Sequence, residues 1–262
     1  MLGWRSERYY SAVIGQFERW LGRPAFLSDV CRLGDDYVWF RRTGGQIGEE
    51  TVRASGVTAA SHRAALATLM KFAVRQRWCR KVTIRPIRKP RVIPHALLFS
   101  EIGRLLQHAS PRQRAAILLC FDTGFRRGDV FDCRWSETFV RDGRTFITRI
   151  VQKTGRVETR ELRPITVEAC LAIRVAGNNY LLPGSRNAAN WTACWQRLGS
   201  KAGVNVTRRG LQAVRRAGAS YIAKAGGSAR KYLGHATDGL AERYYLDPRI
   251  VGDTPDLPPG LE

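Results

Sequence analysis

Apolar side chains recur every three or four residues over 4–21, at Tyr9, Val13, Phe17 and Trp20, and again over 59–78, at Ala65, Leu69, Phe72 and Val74. That period puts each set on one face of a helix. Between them, 27–33 predicts a short helix, and Gly44, Gly45 and Gly48 make 42–50 a loop. Helical spacing returns near Ser100 with Leu98, Ile102, Leu105 and Leu106, and Pro111 to Asp122 reads as a largely buried helix. The period then changes. Phe146 to Val151 and Val157 to Leu162 alternate around Lys153-Thr154-Gly155, a turn signal, so 139–162 predicts an antiparallel sheet of two or three strands. Helices resume at 167–175, 189–198, 209–225, 228–233 and 239–245.

One segment fits neither period. Residues 80–94 hold Pro86, Pro90 and Pro94, which forbid a continuous helix, and the basic residues Arg80, Lys81, Arg85, Arg88, Lys89 and Arg91. The chain therefore divides into a helical unit over 1–82, a basic linker over 83–95 and a mainly α unit with a small antiparallel sheet over 96–262.

Charge narrows the partners. Lys and Arg number 44 against 22 Asp and Glu, a formal net charge of +22 over 262 residues. The excess is spread along the whole chain, so it describes a folded surface that meets a polyanion rather than a basic tail. A basic strap between two basic units is what a clamp around a duplex needs. The longest apolar runs, such as Ala115 to Phe121, are far short of the roughly 18 residues that cross a bilayer. Arg5, Glu7 and Arg8 do not read as a secretory signal, and the expected location is the cytoplasm, on DNA. The six cysteines have neither CxxC spacing nor a histidine at ligand spacing, so no metal site is expected; Cys120 and Cys170 read as reduced core residues.

Five segments of the second unit carry candidate chemistry. Thr123-Gly-Phe-Arg126-Arg-Gly-Asp129 joins two predicted helices. Lys153 is the only lysine between Lys89 and Lys201, and an ammonium can give a proton to a leaving oxygen where a guanidinium does not. Gln212-Ala-Val-Arg215-Arg-Ala-Gly-Ala-Ser220 lies in a helical pattern, Leu233-Gly-His235-Ala-Thr237 follows it, and Arg243-Tyr244-Tyr245-Leu-Asp-Pro248 ends the series. Taken singly, each has an ordinary explanation as a turn or a solvated side chain. In this order they resemble the motifs of the tyrosine recombinase (phage integrase) family.

The resemblance implies a helical DNA core-binding domain followed by an α+β catalytic domain. It makes Arg126 and Arg215 the two catalytic arginines, with Asp129 the acidic support of the first, Lys153 the hairpin lysine, His235 the third anion-binding group and a tyrosine the nucleophile. Gln212 stands where the family has His, and Gln takes up no proton. Tyr244 lies nine residues after His235, the commonest family interval, whereas Tyr245 is ten; Leu240 at i−4 suits Tyr244 to a core anchor, and Asp-Pro downstream favours Tyr245. The implied activity is site-specific DNA cleavage and rejoining through a 3′-phosphotyrosyl link, as in mobile-element integration, with no metal, cofactor or small-molecule substrate. Double-stranded DNA is the implied partner, with four protomers around two duplexes. Two rivals share the scaffold: a DNA-binding protein that has lost the chemistry, for which Gln212 speaks, and a type IB topoisomerase-like enzyme.

Overall fold

The computed structural model describes residues 4–47, 49–88, 93–152, 155–185, 187–207, 209–234, 239, 241 and 244–252, apart from the side chains of Trp4, Arg5 and Ala188. The chain forms two units, Met1–Arg91 and Val92–Glu262. The fold is mainly α-helical with two small antiparallel sheets. Among the described residues no helix is long and apolar enough to cross a membrane.

The first unit contains α1 (Trp4–Leu21), α2 (Leu27–Thr43), a hairpin of β1 (Gly45–Ile47) and β2 (Glu50–Val52), and α3 (Gly56–Arg75). Val13 and Phe17 pack with Val30, Tyr37, Val38, Leu66 and Met70. The inward face of α3 is Ala59, Ala65, Leu66, Met70 and Ala73; of the expected residues Ala65 is buried and Leu69 packs on the core, whereas Phe72 is 41% exposed, as is Tyr9 of α1 at 42%. Alanines on that ridge let α3 sit close to its neighbours, which leaves Phe72 outside. The loop expected over 42–50 is partly a hairpin, with Gly45 paired to Val52 and Ile47 to Glu50.

α2 runs ten residues beyond the expected end because Gly34 is a notch and not a stop. A Cβ there would lie 3.3 Å from Cδ1 of Ile84, which is 3% exposed and belongs to this unit's core. Asp35 accepts the Arg85 N–H at 2.7 Å. The start of the Pro-containing segment is thus folded onto the first unit instead of hanging free. Its apolar residues Val82, Ile84 and Ile87 face the core, while Arg80, Lys81, Arg85 and Arg88 are exposed.

The second unit runs α4 (Phe99–His108), α5 (Pro111–Thr123), α6 (Arg127–Asp132), β3 (Thr138–Arg141), β4 (Arg144–Ile150), β5 (Val157–Leu162), α7 (Pro164–Leu171), α8 (Ala188–Ala202), α9 (Leu211–Lys224), α10 (Ala229–Leu233) and a short helix Pro248–Val251. α5 opens with a capping box, Ser110 and Gln113 bonding each other's backbone N–H around Pro111. It is the spine of the unit, with Ala115 to Cys120 all buried. The sheet is a meander, β3-β4-β5, in the place the alternation gives it. Cys120, Cys133 and Cys170 are buried free thiols, and burial pushes each up to about 12. Of the helix expected over 239–245, residues 239, 241, 244 and 245 are described, and the Tyr245 N–H donates to the Ala241 carbonyl at 2.9 Å.

Candidate active site

α5 ends on Gly124, which has φ 62° and donates its N–H to the Cys120 carbonyl at 3.0 Å. Thr123 Oγ1 donates to the Leu119 carbonyl at 2.6 Å and accepts the Phe125 N–H at 3.2 Å. A Cβ at residue 124 would meet the Tyr232 ring at 2.7 Å, so glycine is required by both its conformation and its neighbour. The turn delivers Arg126, half-buried, at the N-cap of α6.

Arg215 on α9 is 2% exposed. One of its Nη atoms donates to the Gly124 carbonyl, and the other to the Leu233 carbonyl at 2.9 Å. The guanidinium therefore ties the turn that carries Arg126 to the end of α10, immediately before Gly234 and His235. Burial pushes its pKa down, Tyr245 pulls it up, and the like charge of Arg126 pushes it down again. Its Nε, like that of Arg216, is buried without an acceptor among the described residues.

The two tyrosines diverge as neighbours on a helical segment must. Tyr244 is 41% exposed. Tyr245 is half-buried, packs on the cluster of Ala219, Ala229, Tyr232, Leu233 and Ala241, and has its ring centroid 5.2 Å from Cζ of Arg215. This reverses the expectation that Tyr244 anchors the core. Ala241, 1% exposed at i−4 from Tyr245, turns that side of the segment inward.

Lys153 and His235 lie outside the described residues, but their flanks are fixed. Gln152 donates its backbone N–H to Asp129 Oδ1 at 3.3 Å and its Nε2 to Asp132 Oδ2 at 2.7 Å, while buried Arg149 donates to the Asp129 carbonyl at 2.6 Å. The Gly155 N–H returns to the Val151 carbonyl at 2.9 Å. The β4 shoulder of the hairpin turn is thereby lashed to α6, at whose N-cap Arg126 stands. Asp129, expected to support Arg126, supports this turn. Gln212 is half-buried in the first turn of α9, three residues before Arg215, with no hydrogen-bond partner for its side chain among the described residues. Lys89 and Arg91 of the strap are not among the described residues either.

Sequence reading missed the brace behind these groups. Arg160 on β5 donates to the carbonyls of Thr123 at 3.2 Å, Lys231 at 2.8 Å and Tyr232 at 3.2 Å, and pairs with Glu158 at 2.8 Å. It joins the hairpin, the Arg126 turn and the Gly234 turn. No local pattern marks Arg160 in so arginine-rich a chain. Tyr232 is the second missed residue. Its hydroxyl donates to the Phe121 carbonyl at 2.7 Å, and its ring passes so close to Gly218 that an added Cβ would strike the hydroxyl.

Gly218→Ala is therefore expected to destabilise the protein by about 1–3 kcal/mol through overpacking, even though alanine is the better helix former. At about 2–4 °C per kcal/mol for a unit of this size, thermal melting should fall by several degrees. An unchanged or raised melting temperature would contradict the packing.

No protein-family model matches the sequence, and no curated protein does. Solved structures do. A lambda integrase tetramer bound to a Holliday junction is similar at TM-score 0.68 and 18% identity, over 98% of this chain and 75% of that one. A XerH site-specific recombinase bound to palindromic difH substrate, in a post-cleavage complex, gives 0.63 and 17% over 75% and 63%. The Tn1549 transposon integrase, in complex with circular intermediate DNA, gives 0.58 and 15% over 84% and 81%. At such identities the likeness establishes the fold, and the fold of this chain is that of the tyrosine recombinases.

Proposed function

We propose that this chain is a tyrosine-type site-specific DNA recombinase. The observation that carries the reading is the meeting of Arg126, Arg215 and Tyr245. Two like charges are held close, one of them nearly buried, and that arrangement is relieved when a phosphodiester arrives between them. The partners bound in the similar structures, a Holliday junction and circular intermediate DNA, agree with this substrate class.

In the proposed reaction the Tyr245 oxygen bonds to phosphorus, the bond from phosphorus to the 5′ oxygen breaks, and a 3′-phosphotyrosyl link remains. Arg126, Arg215 and His235 hold the nonbridging oxygens as negative charge concentrates there. Lys153 gives its proton to the departing 5′ oxygen. The phenol proton passes to solvent or to the phosphate, because Gln212 accepts none. The phosphotyrosyl ester keeps the energy of the cut bond, so rejoining by the 5′ hydroxyl needs no nucleotide. Four protomers on two duplexes are the proposed assembly, and the DNA-bound chain is proposed to work in the cytoplasm.

A nicked duplex whose 5′ fragment diffuses away after cleavage tests the reading, using repeats from the DNA flanking the gene. A recombinase accumulates a denaturation-resistant adduct, whereas a binding protein on the same scaffold shifts the duplex and leaves no adduct. Relaxation of supercoiled DNA without site preference would point to a topoisomerase instead. Gln212 favours the binding-only rival, and Gln212→His addresses it. A histidine with a reference pKa of about 6.5 should speed adduct formation as pH rises from about 6 to 8, since only neutral imidazole accepts a proton. The parent should lack that rise. Identical profiles would place residue 212 outside proton transfer.

DNA affinity should fall steeply with salt. The exposed Arg80, Lys81, Arg85 and Arg88 are proposed phosphate contacts, together with Lys89 and Arg91. A surface neutralising about 6–10 phosphates loses on the order of 10³–10⁵ in affinity between about 50 and 200 mM salt. A flat response would contradict the polyanion reading.

A further inference from the structure

Asp247, two residues beyond Tyr245, is 0% exposed although it carries a charge. A buried carboxylate is tolerated only when it is paired and hydrogen-bonded. Its Oδ2 accepts the Ala96 backbone N–H at 2.7 Å and an Nη of Arg249 at 2.7 Å, and its Oδ1 accepts the Arg249 backbone N–H at 3.0 Å and Nε at 3.1 Å. Its own N–H donates to Oγ of Ser220 at 2.9 Å, and Ser220 is 0% exposed on α9. Arg249 also returns to the Ala96 carbonyl at 3.0 Å. Burial pushes the Asp247 carboxyl up, but Arg249 and the backbone N–H groups hold it below its ordinary range.

An N-cap of the short helix Pro248–Val251 needs only the bond to the Arg249 N–H, and a solvated Asp supplies that. The remaining bonds have another effect. The carboxylate fastens the tyrosine segment near the start of the second unit through Ala96, and the Asp247 main-chain N–H fastens it through Ser220 to α9, the helix that carries Arg215. Tyr245 and Arg215 are thereby placed relative to one helix. We propose that Asp247 is a positioning residue for the Tyr245 nucleophile, its bonds to Ala96, Arg249 and Ser220 keeping the tyrosine ring over Arg215; this rests on the recombinase reading of Tyr245.

The consequence is kinetic. A displacement of about 1 Å at a reacting atom costs on the order of 10²-fold in rate. Asp247→Ala should slow single-turnover adduct formation by about that factor and leave duplex affinity unchanged. Asp247→Asn keeps an oxygen for the Ala96 N–H and should recover most of the rate.

Two further readouts separate positioning from general support. The first is the ¹⁹F resonance of 3-fluorotyrosine at position 245 in the full chain without DNA. Asp247→Ala should move it toward its position in the urea-unfolded chain, and Asp247→Asn should leave it near the parent's. The second uses a Tyr245→Phe background with hydrogen peroxide as nucleophile: a peroxide oxygen bonds to phosphorus, the bond to the 5′ oxygen breaks, and that oxygen takes a proton. Cleavage should be equally fast with and without Asp247→Ala, since no tyrosine needs placing. A folded Asp247→Ala protein with an unchanged ¹⁹F resonance overturns the proposal, and so does an equal loss of peroxide cleavage. Should Asp247→Ala not fold, Ser220→Ala carries the same resonance test with a smaller displacement. A parent chain that forms no adduct would sink the recombinase reading, while the ¹⁹F comparison still decides whether Asp247 places Tyr245.

Discussion

Tyr245→Phe is expected to abolish the covalent protein–DNA adduct completely, with folding intact and the duplex still bound. The change removes one oxygen and keeps the ring that packs on the Ala219 and Tyr232 cluster and lies 5.2 Å from the Arg215 guanidinium carbon. Loss of the adduct is then loss of a nucleophile and not of a fold. Tyr244→Phe should leave the adduct in place, and its melting temperature should stay close to the parent's, since an exposed residue outside the core seldom shifts stability by more than about 0.5 kcal/mol. The two variants, compared on one suicide duplex by denaturing electrophoresis, give opposite results under this assignment. An adduct that survives Tyr245→Phe and disappears with Tyr244→Phe would move the chemistry to the exposed tyrosine.

Arg215→Ala should be the second most damaging change, through two separable effects. Deleting one donor to a developing negative charge costs roughly 10²–10³ in rate. It also leaves the Gly124 and Leu233 carbonyls without the donor that joins them, at about 1–3 kcal/mol for buried groups left unsatisfied. Arg215→Lys keeps the charge but cannot send two N–H bonds to carbonyls on either side while facing the phosphate. It should recover part of the stability and little of the rate. Arg126→Ala is the useful contrast, because Arg126 is half-buried: the rate should fall and melting should hardly change. Rates come from single-turnover trapping, stabilities from thermal melts without DNA. Equal losses of rate and stability in both arginine variants would mean that neither guanidinium serves the transition state.

The helices of the second unit and its meander were legible because their burial follows a single period. α5 is apolar nearly all round, and the hairpin strands alternate about a Gly turn. The continuation of α2 through Gly34 to Thr43 is not legible in the local pattern, because only the distant Ile84 makes Gly34 a packing notch. The same limit hid the supports of the candidate site. Arg160 acts through carbonyls of Thr123, Lys231 and Tyr232, and Asp247 through Ala96 and Ser220, partners distant in sequence. The flanks of Tyr244 and Tyr245 point both ways in sequence, with Asp-Pro downstream favouring Tyr245; in the structure Tyr244 is exposed and Tyr245 lies half-buried beside Arg215. The motif residues were legible as types at spacings, whereas the groups that hold them owe their roles to tertiary neighbours.

In the proposed reaction DNA becomes attached to Tyr245. Trapping the adduct on a suicide duplex, trimming the DNA with nuclease and cutting after arginine yields a peptide over 244–249, and fragmentation between its first two residues assigns the attached phosphonucleotide. The added mass is expected on Tyr245. An added mass on Tyr244, or no modified peptide from a chain that binds the duplex, would contradict it.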